Sequence, residues 1–493
     1  MTDDQGAVTR TFLVAFLVIA LLGGLGWYVQ ADLRGEVPGW LTTDPAPQPY
    51  PTIEPAPAAT PVDLGAPALA ALPVSAGPPD PAAASAALAP LLADPALGPS
   101  VGATVVDADT GQVLLDSSAA APHEPASVTK VLTSAAALTV LGPDTTLDTT
   151  VVGSPGSDQI TLVAGGDVLL AAGESDPDAV NGRAGLDDLA AQTAAALQAQ
   201  NHPSVRVYLD DSILGGLGWD APSQGAPGPS ESMGPGWANA DLSNGFVAPV
   251  TGLAINAGRT GDENYSPRVA DPGLAAAVRF AAALGEHGVV VDGATTRRAA
   301  PAEADELARI SSAPVSQLVG YLLAASDNNA AEALSRLVAI SAGQPPGFAS
   351  GGQAVLTSVA SLGVDVTGCT LADGSGMSDG SALTASVLAQ TLAMAGSSDA
   401  PQLRPLVRGL PVAGLTGSLS DRFGESTGAA AATGLVRAKT GSLSRVSALA
   451  GQTTTADGRL VTFAFLADQV PATEPARQAL DRLAAGVAAC VCG

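Results

Sequence analysis

Two lysines, Lys130 and Lys439, stand in a chain of 493 residues whose other side-chain fixed positive charges are all arginines. The two residue types differ in a property that chemistry can use. A guanidinium stays protonated under nearly all conditions, whereas a buried ammonium can give up its proton and act as a base. Both lysines stand among hydroxyls. Lys130 closes Ser127-Val128-Thr129-Lys130, and Lys439 opens Lys439-Thr440-Gly441-Ser442. On a helix, residues three apart share a face one turn from each other, so the Lys130 amine can reach the Ser127 hydroxyl and take its proton. The free N–H groups at a helix start favour the negative charge that an attacking oxygen or an oxyanion develops. Lys439 is expected to act as a second cation that lowers the pKa of Lys130.

A third cluster, Ser326-Asp327-Asn328, lies between them. A serine hydroxyl there can relay a proton between Lys130 and a leaving amine, and Asn328 offers both a donor and an acceptor to a substrate amide. Taken alone the triplet reads as a helix N-cap, since all three residue types cap helices. On a strand, Lys439, Thr440 and Ser442 can hold a terminal carboxylate. Gly441 can let a substrate backbone approach, and an exposed strand edge can pair with an extended peptide. Taken alone that stretch reads as a strand end. It is the three clusters in this order, on a helix start, an interhelical turn and a strand, that point to a serine acyl-transfer site.

Other chemistries find less support. His123, His202 and His287 have no metal-ligand spacing to one another or to a cysteine, so neither a metal nor a cofactor is expected. His123 is read as a loop residue ahead of the helix, not as the base of a triad. The formal charge of 21 − 47 = −26 excludes nucleic-acid binding through the overall field. Three cysteines, Cys369, Cys490 and Cys492, fit an exported protein with at most one disulfide, from Cys369 to the tail pair, or a frayed tail with no fixed partner.

The elements that must position these residues follow from the pattern. Residues 12–29 are apolar and uncharged after Arg10, just long enough to span a bilayer, so residues 1–30 read as a membrane anchor or a signal segment. Residues 31–83 are rich in proline and alanine and read as an extended tether. Folded sequence begins near Pro81. Residues 103–115 predict strand, Asp-Thr-Gly turn, strand. From Ser127, the apolar positions Val128, Val131, Leu132, Ala135 and Leu138 keep helical spacing up to Gly142. Residues 151–303 change character and read as an inserted, strand-rich domain. Helical sequence then flanks Ser326-Asp327-Asn328, a strand runs over 436–443, a hairpin turns about Ala456-Asp457-Gly458, and a last helix spans 474–489. The expected fold is α/β (α+β), with 84–150 and 304–493 forming one domain around the insertion. With only 3% aromatic residues, its core must be built from Ala, Val and Leu.

The three clusters are similar to the S-x-x-K, S-x-N and K-T-G signatures of penicillin-recognising serine acyltransferases. The chain resembles a serine D-Ala-D-Ala carboxypeptidase/endopeptidase of the penicillin-binding protein 4 type, a class C low-molecular-mass enzyme of peptidase family S13. The likeness runs from about Leu92 to Leu483. Leu162-Val163-Ala164-Gly165-Gly166-Asp167 resembles that family's L-V-G-G-G-D segment. Ala248-Pro249-Val250 with Leu253 and Asn256 resembles another of its segments, and Asp373-Gly374-Ser375-Gly376-Met377-Ser378 its D-G-S-G-L-S loop. The resemblance implies a penicillin-binding transpeptidase-like (serine β-lactamase) fold. It implies Ser127 as acylated nucleophile, Lys130 as base, and Ser326 and Asn328 as relay and substrate contact. Lys439, Thr440, Gly441 and Ser442 would then hold substrate, with an oxyanion hole from the N–H groups of Ser127 and Ser442. The implied partners are peptidoglycan stem peptides, β-lactam inhibitors and, through the N-terminal segment, the membrane; the implied location is extracytoplasmic, anchored or secreted. Two rivals are a serine β-lactamase and a catalytically inactive wall-associated scaffold. An E-x-x-L-N string, the deacylating glutamate of class A lactamases, is absent between Ser127 and Ser326, and intact motifs argue against the scaffold.

Overall fold

The computed structural model describes residues 79–215 and 232–492. Helix α1 (Pro81–Leu92) opens the described chain, capped by Asp80, whose carboxylate accepts the N–H groups of Ala82 and Ala83. The expected strand–turn–strand is β1 (Ser100–Asp107) and β2 (Val113–Ser117), paired antiparallel. A two-residue strand β3 (Pro122–His123) and a single 3-10 turn lead into α2 (Thr129–Val140). His123 is therefore in a strand and buried, with Nδ1 3.4 Å from Asp468, and not in the expected loop.

The chain then builds a second sheet: β4 (Asp148–Gly153), β5 (Gln159–Val163), α3 (Leu186–Ala199), β6 (Ser204–Asp210) and, after the short α4 (Asn239–Ser243), α5 (Pro272–Glu286), β7 (Val290–Val291), β8 (Thr296–Arg297) and β9 (Asp305–Ser311). Its strand order is β7-β6-β5-β4-β9, with β8 beside β6. Alternate residues of β5 and β6 and the apolar faces of α3 and α5 form its own core around Leu162, Leu209 and Phe280.

Helices α6 (Val315–Ala325), α7 (Asn328–Ser341) and α8 (Phe348–Ser361) follow, then β10 (Leu383–Thr384), which pairs with β3, then α9 (Ala385–Gly396) and the short α10 (Arg404–Gly409). Strands β11 (Arg437–Leu443), β12 (Val446–Thr454) and β13 (Leu460–Asp468) and helix α11 (Thr473–Ala489) close the chain. The large sheet runs β11-β12-β13-β1-β2, so strands from both ends of the sequence share it. Alternation divides its residues between two cores. Ala448, Ala450, Ala464 and Leu466 face the helical layer around α2, while Leu449, Phe463 and Phe465 face α1 and α11. The small alanines let α2 lie close to the sheet; every residue from Thr129 to Leu138 is buried. The core is indeed mostly Ala, Val and Leu.

The disulfide joins Cys490 to Cys492, and Cys369 is free, which corrects the expected link from Cys369. The tail is not frayed: both bridged cysteines are buried, and the Cys492 carbonyl accepts the Asp80 N–H at 2.5 Å. Among the described residues no helix is long and apolar enough to cross a membrane. The apolar run 12–29 and nearly all of the 31–83 tether lie outside the described residues.

Candidate active site

Ser127 sits half-buried in the 3-10 turn Ala126–Val128, two residues ahead of the first residue of α2. Backbone at Ala126 is left-handed (φ 49°), a conformation that costs a non-glycine residue about 1 kcal/mol or more. Thr129 Oγ1 holds it by donating to the Ala126 carbonyl at 2.9 Å. Lys130 is fully buried one turn on. Its Nζ donates to Ser127 Oγ at 2.9 Å, to Asn328 Oδ1 at 2.6 Å and to the Ser375 carbonyl at 2.7 Å. Three acceptors match the three hydrogens of an ammonium. Once the amine is neutral, two N–H groups still satisfy Asn328 and Ser375, and the lone pair is left aimed at the Ser127 hydroxyl. Burial pushes the Lys130 amine down to about 8, against the opposing pull of Asp373, Glu332 and Asp327. At pH 7 about a tenth of such an amine is neutral.

The Ser326-Asp327-Asn328 turn is the helix cap that its sequence allowed, and it also stands against both lysines. Asp327 is the N-cap of α7 and accepts the Ala330 N–H at 2.8 Å; Ser326 ends α6 in a left-handed conformation (φ 56°). The structure separates the two lysines between the other members: Lys130 bonds Asn328, while Lys439 Nζ donates to Ser326 Oγ at 2.9 Å and to the Thr440 carbonyl at 2.8 Å. The Asn328 amide is occupied at both ends, since Nδ2 donates to the Phe246 carbonyl at 2.9 Å. A carbonyl on one side and an ammonium on the other fix which way that amide points. It therefore orients Lys130, and its second Nδ2 hydrogen remains on a half-buried residue that lines the cleft.

Lys439 is buried and its pKa falls well below the ordinary 10.5, through burial first and then the positive charge of Lys130. Burial is the leading cause of the drop at both lysines, and the repulsion between the two positive charges acts on both. The cation on the open side of the strand is Arg477 of α11, whose Nε donates to Ser442 Oγ at 3.1 Å. Thr440 Oγ1 and Ser418 Oγ, 2.9 Å apart, complete that wall.

β11 is the edge of its sheet, and its pairing with β12 fixes which backbone groups are free to serve a ligand. Ala438 donates its N–H away from β12, to the Pro411 carbonyl at 2.9 Å. By the alternation of an antiparallel ladder, the N–H and C=O of Thr440 and Ser442 also point away from β12. Gly441 makes room for this chain rather than for a ligand: a Cβ there would lie 2.6 Å from the Pro125 carbonyl, just ahead of Ser127.

The 373–378 loop is the part of the site to which sequence reasoning gave no task. The Asp373 carboxylate gathers the N–H groups of Ser375, Gly376, Met377 and Ser378 within 3.2 Å, turning the loop back on itself. Gly376 is left-handed (φ 76°) and a Cβ there would overlap the Ala126 carbonyl, so the loop wedges against the nucleophile's turn. The D-G-S-G-M-S string signalled the loop; nothing in it says that the Ser375 carbonyl faces Lys130. Sequence reasoning also missed Arg259 and Arg268, which converge on Asp327 with Nη2–Oδ2 distances of 2.5 and 3.4 Å, all three side chains buried. A cleft of about 940 Å³ opens in front of these groups, lined by Ser127, Ser326, Asn328, Thr440, Ser442 and Arg477 among others. Among the described residues no cluster of His, Cys, Asp and Glu could hold a metal ion.

A half-buried serine against a buried lysine of lowered pKa, beside an edge strand, defines a serine acyl-transfer hydrolase on a penicillin-binding type of fold. The sequence pattern of the D-Ala-D-Ala carboxypeptidase 3 (S13) family matches residues 84–266 and 261–487, and the chain belongs to that family, as a D-Ala-D-Ala carboxypeptidase. Carboxypeptidase DacB of Mycolicibacterium smegmatis is 37% identical over 71% of this chain and 72% of its own length. Carboxypeptidase Rv3627c of Mycobacterium tuberculosis is 36% identical over 68% of each chain. The fold is similar to that of penicillin binding protein 4 from Haemophilus influenzae, with a TM-score of 0.57 at 22% identity over 82% of this chain and 98% of that one.

Proposed function

We propose that this carboxypeptidase works through an acyl-enzyme on Ser127, on peptidoglycan stem peptides, outside the cytoplasm. The observation that carries the reading is the 2.9 Å contact between Lys130 Nζ and Ser127 Oγ, with Asn328 and Ser375 holding the amine's other two directions. Neutral Lys130 takes the hydroxyl proton as Ser127 Oγ attacks the carbonyl carbon of the penultimate D-Ala. The N–H groups of Ser127 and Ser442 receive the oxyanion; the ladder parity of β11 supports the second. The proton goes on to the leaving amine through Ser326. The terminal carboxylate rests against Thr440, Ser442 and Arg477, with Lys439 behind them; Arg477, which donates to Ser442 Oγ, brings a fixed positive charge to that wall. Water then attacks the ester, with Lys130 again as base. A substrate strand adding to the β11 edge would align the scissile bond, and the cleft has room for a second peptide arm, as endopeptidase work on cross-links needs.

A β-lactam offers the same serine a strained amide in place of the peptide and is expected to acylate it. We also take 84–150 and 304–493 as the acyltransferase domain, 151–303 as the insertion, whose sheet reaches past both borders through β4 and β9, and 1–30 with the 31–83 tether as the membrane attachment or export segment.

Purified protein given a pentapeptide ending in D-Ala-D-Ala should release one D-alanine per peptide, and a cross-linked dimer tests the endopeptidase arm. Rapid penicillin turnover without D-alanine release would support a β-lactamase instead, and neither activity a scaffold. Protease added to wall-stripped cells should degrade the folded part; full protection would contradict the location.

A further inference from the structure

Glu332 is a buried carboxyl that the steps above leave unused. It projects from α7 and is fully buried. Its Oε2 accepts the Gly374 N–H at 3.1 Å, while its Oε1 has no hydrogen-bond partner. The next residue of the same loop, Ser375, offers its carbonyl to Lys130 Nζ at 2.7 Å. Thr133 of α2 pins that stretch by donating to the Gly374 carbonyl at 2.6 Å. The carboxyl and the catalytic amine are thus held on adjacent residues of one short loop.

Few charges face Glu332. Asp373 stands on the loop, Lys130 on α2, and Asp327 and Arg336 on its own helix and that helix's cap. α8, packed against α7, carries no ionisable side chain. The Asp373 carboxyl collects four N–H groups of the loop. Glu332 accepts the Gly374 N–H and interacts with the Ser375 side chain, in a buried site where a neutral carboxyl costs less than a charged one. Burial first, and then the charge of Asp373, push it up to about 8, the same region as Lys130. Two such sites in one buried cluster titrate as a pair, not singly.

We propose that Glu332 is a positioning residue for acylation that shares one proton with Lys130: while the carboxyl keeps that proton, the amine is neutral and free to accept the Ser127 hydroxyl hydrogen. The inference rests on the reading of Lys130 as the base. In the singly protonated pair the proton sits on Glu332 as the acid or on Lys130 as the ammonium. When Ser127 Oγ bonds to the substrate carbonyl carbon, its own proton passes to the amine. The new ammonium faces Asp373, and that proton leaves with the amine product. An ionised Glu332 works against the base, because it holds Lys130 in the ammonium form.

The test is Glu332→Gln, which keeps the shape and an oxygen for Gly374 but cannot ionise. Penicillin acylation followed across pH should show the rising limb of the variant moved to lower pH by about one unit. Acylation within the limb would then be faster than in the unaltered protein, by up to about tenfold, and unchanged well below it, where Glu332 already keeps its proton. A limb left in place, with Lys130→Arg inactive, overturns the inference and leaves Lys130 as base. Wild-type acylation by Lys130→Arg removes the base reading, and the inference with it. Should Glu332→Gln fail to fold, infrared difference spectra of the unaltered protein across the limb serve instead. A buried carboxylic acid that loses its proton over that range is expected, and its absence overturns the proposal.

Discussion

Lys130→Arg is expected to slow acylation by penicillin roughly 10²–10⁴-fold, the range that a positioned general base contributes. The guanidinium brings the same charge to the site but has no proton to give up near neutrality. The unaltered enzyme should acylate faster as the pH rises through about 8, where burial places the Lys130 amine. Above that value the amine is neutral and its lone pair is free for Ser127; below it all three hydrogens are engaged with Ser127, Asn328 and Ser375. The variant should show no such limb. Stopped-flow acylation across pH measures both, with a urea melt of the variant to confirm that it is folded. Acylation within tenfold of the unaltered rate would remove Lys130 from the role of base.

Asp327→Ala is expected to cost roughly 3–5 kcal/mol of stability, because it leaves a buried positive pair without its counter-charge. The Asp327 carboxylate answers both Arg259 and Arg268, each inside the protein, and caps α7 through Ala330 as well. Burial works against its charge, yet the two guanidiniums and the Ala330 N–H outweigh that and hold its pKa below the ordinary 3.8. The sign follows. Stability from this carboxylate is present above the unfolded pKa near 3.8 and is lost as the pH falls through the lower folded value. Urea melts of Asp327→Ala and Asp327→Asn should both show the loss, with Asn retaining the cap but not the charge. A change under about 1 kcal/mol in either would mean that the cluster is not held by that carboxylate. The variant should also lose acylation, since Asp327 lies between Ser326, which takes the Lys439 bond, and Asn328, which takes the Lys130 bond.

Local pattern revealed the residues that carry local geometry. Ser127 and Lys130 are three apart on one helical face, the 439–443 stretch is a strand, and the Asp-Gly hairpin joins β12 to β13; each depends on near neighbours in sequence. What stayed hidden is set by partners far away. Arg259 and Arg268 reach Asp327 from the second sheet's stretch, across 68 and 59 residues. The Ser375 carbonyl meets Lys130 across 245 residues, and backbone atoms leave no residue-type signal. Arg477 was in sight on a helix whose ends were legible, but which face meets β11 depends on packing. That burial is the main cause of the lowered pKa of both lysines is likewise something composition does not report. The Cys490–Cys492 bridge was missed because it closes within the tail, whereas Cys369 invited a longer link.

The central claim is that one serine carries the acyl group, and the most direct measurement is the site of a penicillin adduct. Protein treated with penicillin, digested and analysed by mass spectrometry should carry the added mass on the peptide that contains Ser127, and Ser127→Ala should carry none. An adduct on any other peptide, or one that survives Ser127→Ala, would contradict the account.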